Sequence, residues 1–159
     1  LDTVVFRMSC LYGPHQHGNE DQGWVAHFLI QALRSRPITI FGDGLQVRDV
    51  LYVDDAVEAW LLALREVRAV RGRAFNLGGG PTNTLSLREM LALIERLTGR
   101  RPMVRYEDWR PGDQRWYVSD TRAFEEATGW RPSIAPETGL RQLCQWLEAQ
   151  LPAWTGAAA

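Results

Sequence analysis

Two arginines have settings that suit them to chemistry. Arg48 lies in the run Gly42-Asp43-Gly44-Leu45-Gln46-Val47-Arg48-Asp49-Val50-Leu51-Tyr52-Val53-Asp54-Asp55, a charge set among apolar strand positions. Followed directly by Asp49, it reads either as half of an internal ion pair or as a phosphate ligand, because the guanidinium fork matches phosphate oxygens bidentately. Arg110, in Trp109-Arg110-Pro111-Gly112-Asp113, sits on a turn that a ligand can approach. Two such arginines with loop carboxylates, in a nearly neutral chain, suit a diphosphate. Two aromatics are ambiguous: Phe41, beside Gly42, can stack on a nucleobase or fill a core, and Trp24, after Gly23, can line a sugar pocket or begin a buried helix stripe.

Other constellations are weaker. His15-Gln16-His17, near Glu20 and Asp21, brings two imidazoles without a third ligand at a known spacing, so a polar loop is expected and no metal. Gly78-Gly79-Gly80 is followed by Pro81-Thr82-Asn83 and reads as a turn; the Gly-x-Gly-x-x-Gly dinucleotide fingerprint is absent from the chain. Ser9-Cys10 beside Tyr12 shows no Ser, His and Asp arrangement for nucleophilic catalysis. All 18 basic residues are Arg, which forbids any chemistry that needs an ε-ammonium.

The chain has 159 residues, 45% of them apolar and 23% charged, with a net charge of −1. One domain is expected. Near-neutrality argues against a general nucleic-acid binder, whose phosphate affinity needs clustered positive charge. Cys10 and Cys144 make neither a disulfide framework nor a metal clip, and no apolar run approaches a membrane span, so a cytoplasmic setting is the expectation. Leu1-Asp2 leads straight into a strand-like run, which reads as a chain cut from something longer.

Strands and helices alternate, as in an α/β layered protein. Val4-Val5-Phe6 shows little alternation and predicts a strand covered on both faces; with 74–77 it would join a central parallel sheet. The spacing of Trp24, Val25, Phe28, Leu29, Ala32 and Leu33 predicts a helix ended by Pro37, and 38–41 and 47–53 read as strands. Asp54-Asp55 opens a helix with acidic groups at its positive end, with Val57, Trp60, Leu61 and Leu64 as its buried stripe. Ser86 and Glu89 form a capping box before Leu87, Met90, Leu91, Ile94 and Leu97, and Gly99 stops that helix. A strand over 103–106, a short helix from Asp120 or Thr121 to Gly129, and a last helix after Pro136 complete the set. That last helix faces inward through Leu140, Leu143, Cys144, Leu147 and Leu151, and 155–159 is expected to fray.

Arg7-Met8-Ser9-Cys10-Leu11-Tyr12-Gly13-Pro14 resembles the strand and loop after the catalytic helix in extended short-chain dehydrogenase/reductases, the NAD-dependent nucleotide-sugar epimerases and dehydratases. Ile40-Phe41-Gly42-Asp43-Gly44, with Arg48-Asp49 and Tyr52-Val53-Asp54-Asp55, is similar to a second signature of that family. Phe75-Asn76-Leu77-Gly78-Gly79 and Arg110-Pro111-Gly112-Asp113 are similar to a third and a fourth. Asp21-Gln22-Gly23-Trp24-Val25, the run from Gln46 to Leu51, Leu85-Ser86-Leu87 and Asp113-Gln114-Arg115 look like the subgroup that inverts carbon 2 of a CDP-sugar.

The resemblance implies the C-terminal part of an extended short-chain dehydrogenase/reductase fold. Residues 1–154 would hold the last strands of a Rossmann-type sheet and the small α/β substrate-binding domain. It implies that Thr39 and Phe41 flank the nucleobase, that Arg48 and Arg110 bind the diphosphate, and that Asp113 meets the ribose. Tyr117 would contact phosphate or sugar, Gln22 and Trp24 would line the nucleotide-sugar pocket, and Ser9 and Cys10 would lie where relatives meet the nicotinamide of NAD and the sugar. Many relatives carry Asn where Cys10 stands, and a thiol is a poor substitute for an amide in hydrogen bonding. The family's catalytic Tyr-x-x-x-Lys pair is missing: four residues after Tyr12, Tyr52, Tyr106 and Tyr117 come Gln16, Ala56, Arg110 and Thr121.

The parent activity so implied is epimerisation of a nucleotide-diphosphate sugar by hydride removal and return through a keto sugar, with 4-epimerase or 4,6-dehydratase chemistry as the alternatives. This chain alone is expected to hold no NAD and to be inactive. A free-standing nucleotide-sugar module, and a fragment that completes an NAD-binding half in trans, are the alternatives in other functional classes. The open flank of Val4–Met8 points to a homodimer or to pairing with that half.

Overall fold

The computed structural model describes residues 1–155, and the side chains through residue 150. Strand β1 (Val4–Met8) leads into β2 (Cys10–Tyr12), helix α1 (Trp24–Leu33), β3 (Ile38–Phe41), β4 (Val47–Tyr52), α2 (Val53–Arg65) and the single turn α3 (Val67–Val70). Then come β5 (Arg73–Leu77), β6 (Thr84–Ser86), α4 (Leu87–Thr98), β7 (Val104–Glu107), β8 (Trp116–Tyr117), α5 (Arg122–Thr128) and α6 (Pro136–Thr155). Positions 156–159 of the expected frayed tail lie outside the described residues, as does the side chain of Leu151.

Among the described residues the strands form three small sheets. β1 pairs in parallel with β5, from Val4 opposite Arg73 to Met8 opposite Leu77. β4 is a hub: β2 runs parallel to its second half, while β6, antiparallel, and β8, parallel, flank its first half. β3 pairs in parallel with β7. The short strands β2, β6 and β8 escape sequence reading because two or three residues carry no period.

Two cores follow from this layout. The larger one joins α1, α4 and α6 over β3 and β4, with Leu29, Ile38, Ile40, Ile94, Leu140 and Leu143 fully buried. The capping box forms as expected: the Ser86 hydroxyl accepts from the Glu89 N–H, and the Glu89 carboxylate accepts from the Ser86 N–H at 2.7 Å. Gly99 closes α4 in the left-handed conformation that glycine adopts without strain. The smaller core packs α2, α3 and α5 around β5 through Phe75, Leu77, Phe124 and Trp130.

Two expectations fail around this smaller core. The stripe Val57, Trp60, Leu61 and Leu64 faces outward, 47% to 72% exposed, while Asp55, Ala56, Ala59 and Ala63 are the buried face of α2. Alanine lets the helix approach the strands closely, and Asp55 is buried because it is fully used. Its carboxylate accepts from the Ser133 hydroxyl at 2.7 Å and from the Ser133 and Ile134 N–H groups at 3.1 and 2.9 Å. Nor is β1 covered on both faces: Val5 and Met8 are 57% and 45% exposed. The only strand paired with it among the described residues is β5, so its other edge is open.

Candidate functional site

The ends of β3 and β4 and the start of α1 surround a cavity of about 250 Å³, lined by Trp24, Thr39, Phe41, Gln46, Arg48, Arg110 and Asp113 among others. Local chemistry builds this convergence. Gly42 has a positive φ of 88°, and a Cβ there would run into the Trp109 indole, so the side chain-free residue lets Trp109 lie against the end of β3. That contact seats the turn carrying Arg110 and Asp113. The Asp43 carboxylate accepts from the Leu45 N–H at 2.8 Å and closes the turn into β4.

Arg48 projects from β4 and pairs with Asp113 across the cavity, Nη2 to Oδ1 at 2.6 Å. The internal pair with Asp49 does not form, because successive strand residues point to opposite faces. Asp49 is fully buried on the other side, where its carboxylate accepts from the Ser9 hydroxyl at 2.5 Å and the Gly80 N–H at 3.0 Å. The Arg110 guanidinium lies 3.8 Å over the Phe41 ring, a cation–π contact, with Glu20 and Asp21 at 3.7 and 3.6 Å. These latter distances are loose ion pairs between half-exposed or exposed groups and hold Arg110 weakly.

A second cavity of about 540 Å³ adjoins the first and shares Asp21, Trp24 and Arg48 with it. Ser9, Cys10, Gln22, Gln114 and Tyr117 face this space. The Trp24 indole N–H donates to the Cys10 sulfur at 3.3 Å. Burial pushes the Cys10 thiol above its ordinary range, against the smaller opposing effect of that hydrogen bond. All ten residues singled out from the sequence therefore line one or other of two neighbouring cavities, although Ser9 turns its hydroxyl inward to Asp49.

Sequence reasoning missed Gln46, Glu20, Asp21 and His27 as lining residues of the first cavity, and Gln16 and Gln114 of the second. Gln46 had a signal: it stands two residues before Arg48, and the strand period puts both on one face. Its amide N–H donates to the Phe41 carbonyl at 2.7 Å, which ties β4 to the end of β3. Burial lowers the His27 pKa, favouring the neutral imidazole.

The glycine run is closely packed against its neighbours. A Cβ on Gly78 would strike Asp49 and Ser119, and one on Gly79 would strike the Val50 carbonyl, so these residues serve close packing behind the site. Among the described residues no group of three His, Cys, Asp or Glu could hold a metal ion; His15 and His17 instead lie against the Trp146 ring. No helix among the described residues is long and apolar enough to cross a membrane.

Residues 1–78 match the model of the NAD dependent epimerase/dehydratase family. The chain is 38% identical over 151 residues to CDP-paratose 2-epimerase of Salmonella typhi, an alignment that takes in 92% of this chain and 45% of the relative. It is 33% identical over 156 residues to dTDP-glucose 4,6-dehydratase of Neisseria gonorrhoeae, covering 92% of this chain and 44% of that one. In structure it resembles UDP-glucose 4-epimerase of Thermotoga maritima, solved with UDP-glucose, at a TM-score of 0.87 and 34% identity, over 95% of this chain and 47% of that one. The chain thus spans about half the length of the relatives it matches.

Proposed function

We propose that this chain, whose residues 1–78 match the model of the NAD dependent epimerase/dehydratase family, forms the nucleotide-sugar wall of an NAD-dependent epimerase that acts on carbon 2 of a CDP-sugar. The observation that carries the reading is the convergence of Arg48, Arg110, Phe41 and Asp113 on one cavity that continues into a second, larger one. A nucleotide diphosphate spans such a pair of spaces. The base would stack beside Phe41 and Thr39, the ribose would meet Asp113, and the diphosphate would lie at the seam where Arg48 stands.

The resting contacts suit an exchange. A diphosphate offers Arg110 charge-assisted bonds in place of its loose pairs with Glu20 and Asp21. Arg48 can keep Asp113 through Nη2 and exchange the Nη1 contact with the Val47 carbonyl for a phosphate oxygen. The sugar would then extend toward Cys10, Gln22 and Tyr117.

The residues present do not fit NAD itself. The glycines after β5 are packed against buried side chains, the dinucleotide fingerprint is absent, and no Tyr-x-x-x-Lys pair exists in the chain. Cofactor binding and hydride chemistry would fall to an NAD-binding half, and this chain's part is to bind and orient the sugar. The open edge of β1 and the exposed apolar face of α2 support docking of that half, and thus favour it over a free-standing binding module. An unpaired strand edge next to exposed Val57, Trp60, Leu61 and Leu64 offers both backbone hydrogen bonds and apolar area.

Calorimetric titration of CDP, UDP and dTDP tests the reading. The expected outcome is binding of all three with CDP tightest, and a loss of at least about tenfold in Arg48→Ala with the fold intact by circular dichroism. Unchanged affinity in that variant removes the diphosphate role. The chain by itself is expected to leave CDP-paratose unconverted, and turnover by the purified chain would contradict the division of labour.

A further inference from the structure

The second cavity carries an unusual balance of polar groups. Gln22 and Gln114 line it with side-chain amides that have no internal partner among the described residues, and Tyr117 adds a phenol. Gln16 has already given its amide N–H to the Leu11 carbonyl at 2.9 Å, and Trp24 its indole N–H to Cys10. Arg48 is the lone cation lining this space among the described residues, and it is committed to Asp113 and, through Nη1, to the Val47 carbonyl at 2.8 Å. The lone anion is Asp21, whose side chain is 86% exposed.

We infer that this cavity admits an uncharged hexose and discriminates against a hexuronate. The inference rests on the nucleotide-sugar reading above and deepens it by naming the sugar class. Carboxamide and phenol groups both donate and accept, which matches sugar hydroxyls in either orientation. A carboxylate on carbon 6 would surrender hydration here without meeting a free guanidinium, because Arg48 is shared between Asp113 and the diphosphate, and it would face the charge of Asp21. Neutral donors recover only part of what a buried carboxylate loses.

The test holds the base constant and varies the sugar. The intact chain is titrated with UDP, UDP-glucose and UDP-glucuronate at one ionic strength. UDP-glucuronate is expected to bind about tenfold more weakly than UDP-glucose. Asp21→Asn removes the repulsion and is expected to narrow that gap to about threefold; Gln114→Arg supplies a cation on an exposed position and is expected to favour UDP-glucuronate selectively. Equal or tighter binding of UDP-glucuronate by the unaltered chain overturns the inference. UDP that binds well while neither sugar changes its affinity overturns the sugar cavity alone. Failure of UDP itself to bind overturns the nucleotide reading, and this inference with it.

Discussion

Helices α2 and α4 are both amphipathic, and each carries acid in its first turn, Asp54 and Asp55 in α2 and Glu89 in α4, yet they bury different kinds of face. α4 turns Met90, Leu91, Leu93 and Ile94 into the larger core. α2 turns Ala56, Ala59, Ala63 and Asp55 inward and leaves its large apolar residues in solvent. Periodicity states that a helix has two faces; it does not state which neighbour each face will meet. Where the near neighbour is a strand pair approached closely, small residues win the inner position. The large ones are left for whatever packs next.

The largest effect expected from this contrast is on folding stability. Ile94→Ala in α4 should cost about 2–5 kcal/mol by urea denaturation, because it empties space inside a closed core. Val57→Ser and Leu64→Ser in α2 should each change stability by less than about 0.5 kcal/mol, as ordinary surface substitutions do. Equal costs in the two helices would break the contrast.

The open face has its own consequence in self-association. Sedimentation of the isolated chain should show concentration-dependent association, and Val57→Glu with Leu64→Glu should shift it to monomer. A chain already monomeric at high concentration would mean that the α2 face and the β1 edge are not adhesive by themselves.

A smaller effect concerns the cap of α4. Glu89→Ala should cost about 1 kcal/mol at pH 7, the size usual for a lost cap contact. Hydrogen bonds from Ser86 hold the Glu89 carboxyl below its ordinary value of 4.5. A lowered folded-state pKa means the stabilisation is full above that ordinary value and fades as pH falls through the lowered one. The gap between the parent chain and Glu89→Ala should therefore close in acid, as followed by thermal denaturation.

The smallest expected signal is chemical. Burial keeps the Cys10 thiol protonated at neutral pH, so alkylation should be slow compared with a free thiol and slower still with CDP bound. Fast modification, insensitive to nucleotide, would place Cys10 outside the occupied space.

Much of the lining of the two cavities was legible in order and type. Arg48 and Arg110 stand in settings that suited phosphate and Phe41 in one that allowed base stacking, while the ribose contact of Asp113 came only with the resemblance; glycines such as Gly42 marked the turns that hold them. The capping box of α4 was also legible, since both partners lie three residues apart in one local structure. What escaped were contacts between distant segments. The Arg48 partner turned out to be Asp113, 65 residues away, rather than its neighbour Asp49. Gln46 and Asp21 joined the cavities only once β4 and the loop before α1 were placed side by side.

By itself, the sequence determined which groups the chain has to offer: guanidinium groups whose fork suits phosphate, aromatics that can stack, and no lysine for a Tyr-x-x-x-Lys pair. Local periodicity and caps determined most helices. Only the tertiary structure decided which face of α2 is buried, whom Arg48 pairs with and that two cavities share a wall of Asp21, Trp24 and Arg48. Those outcomes depend on distances between segments far apart in the chain, which no short-range pattern encodes.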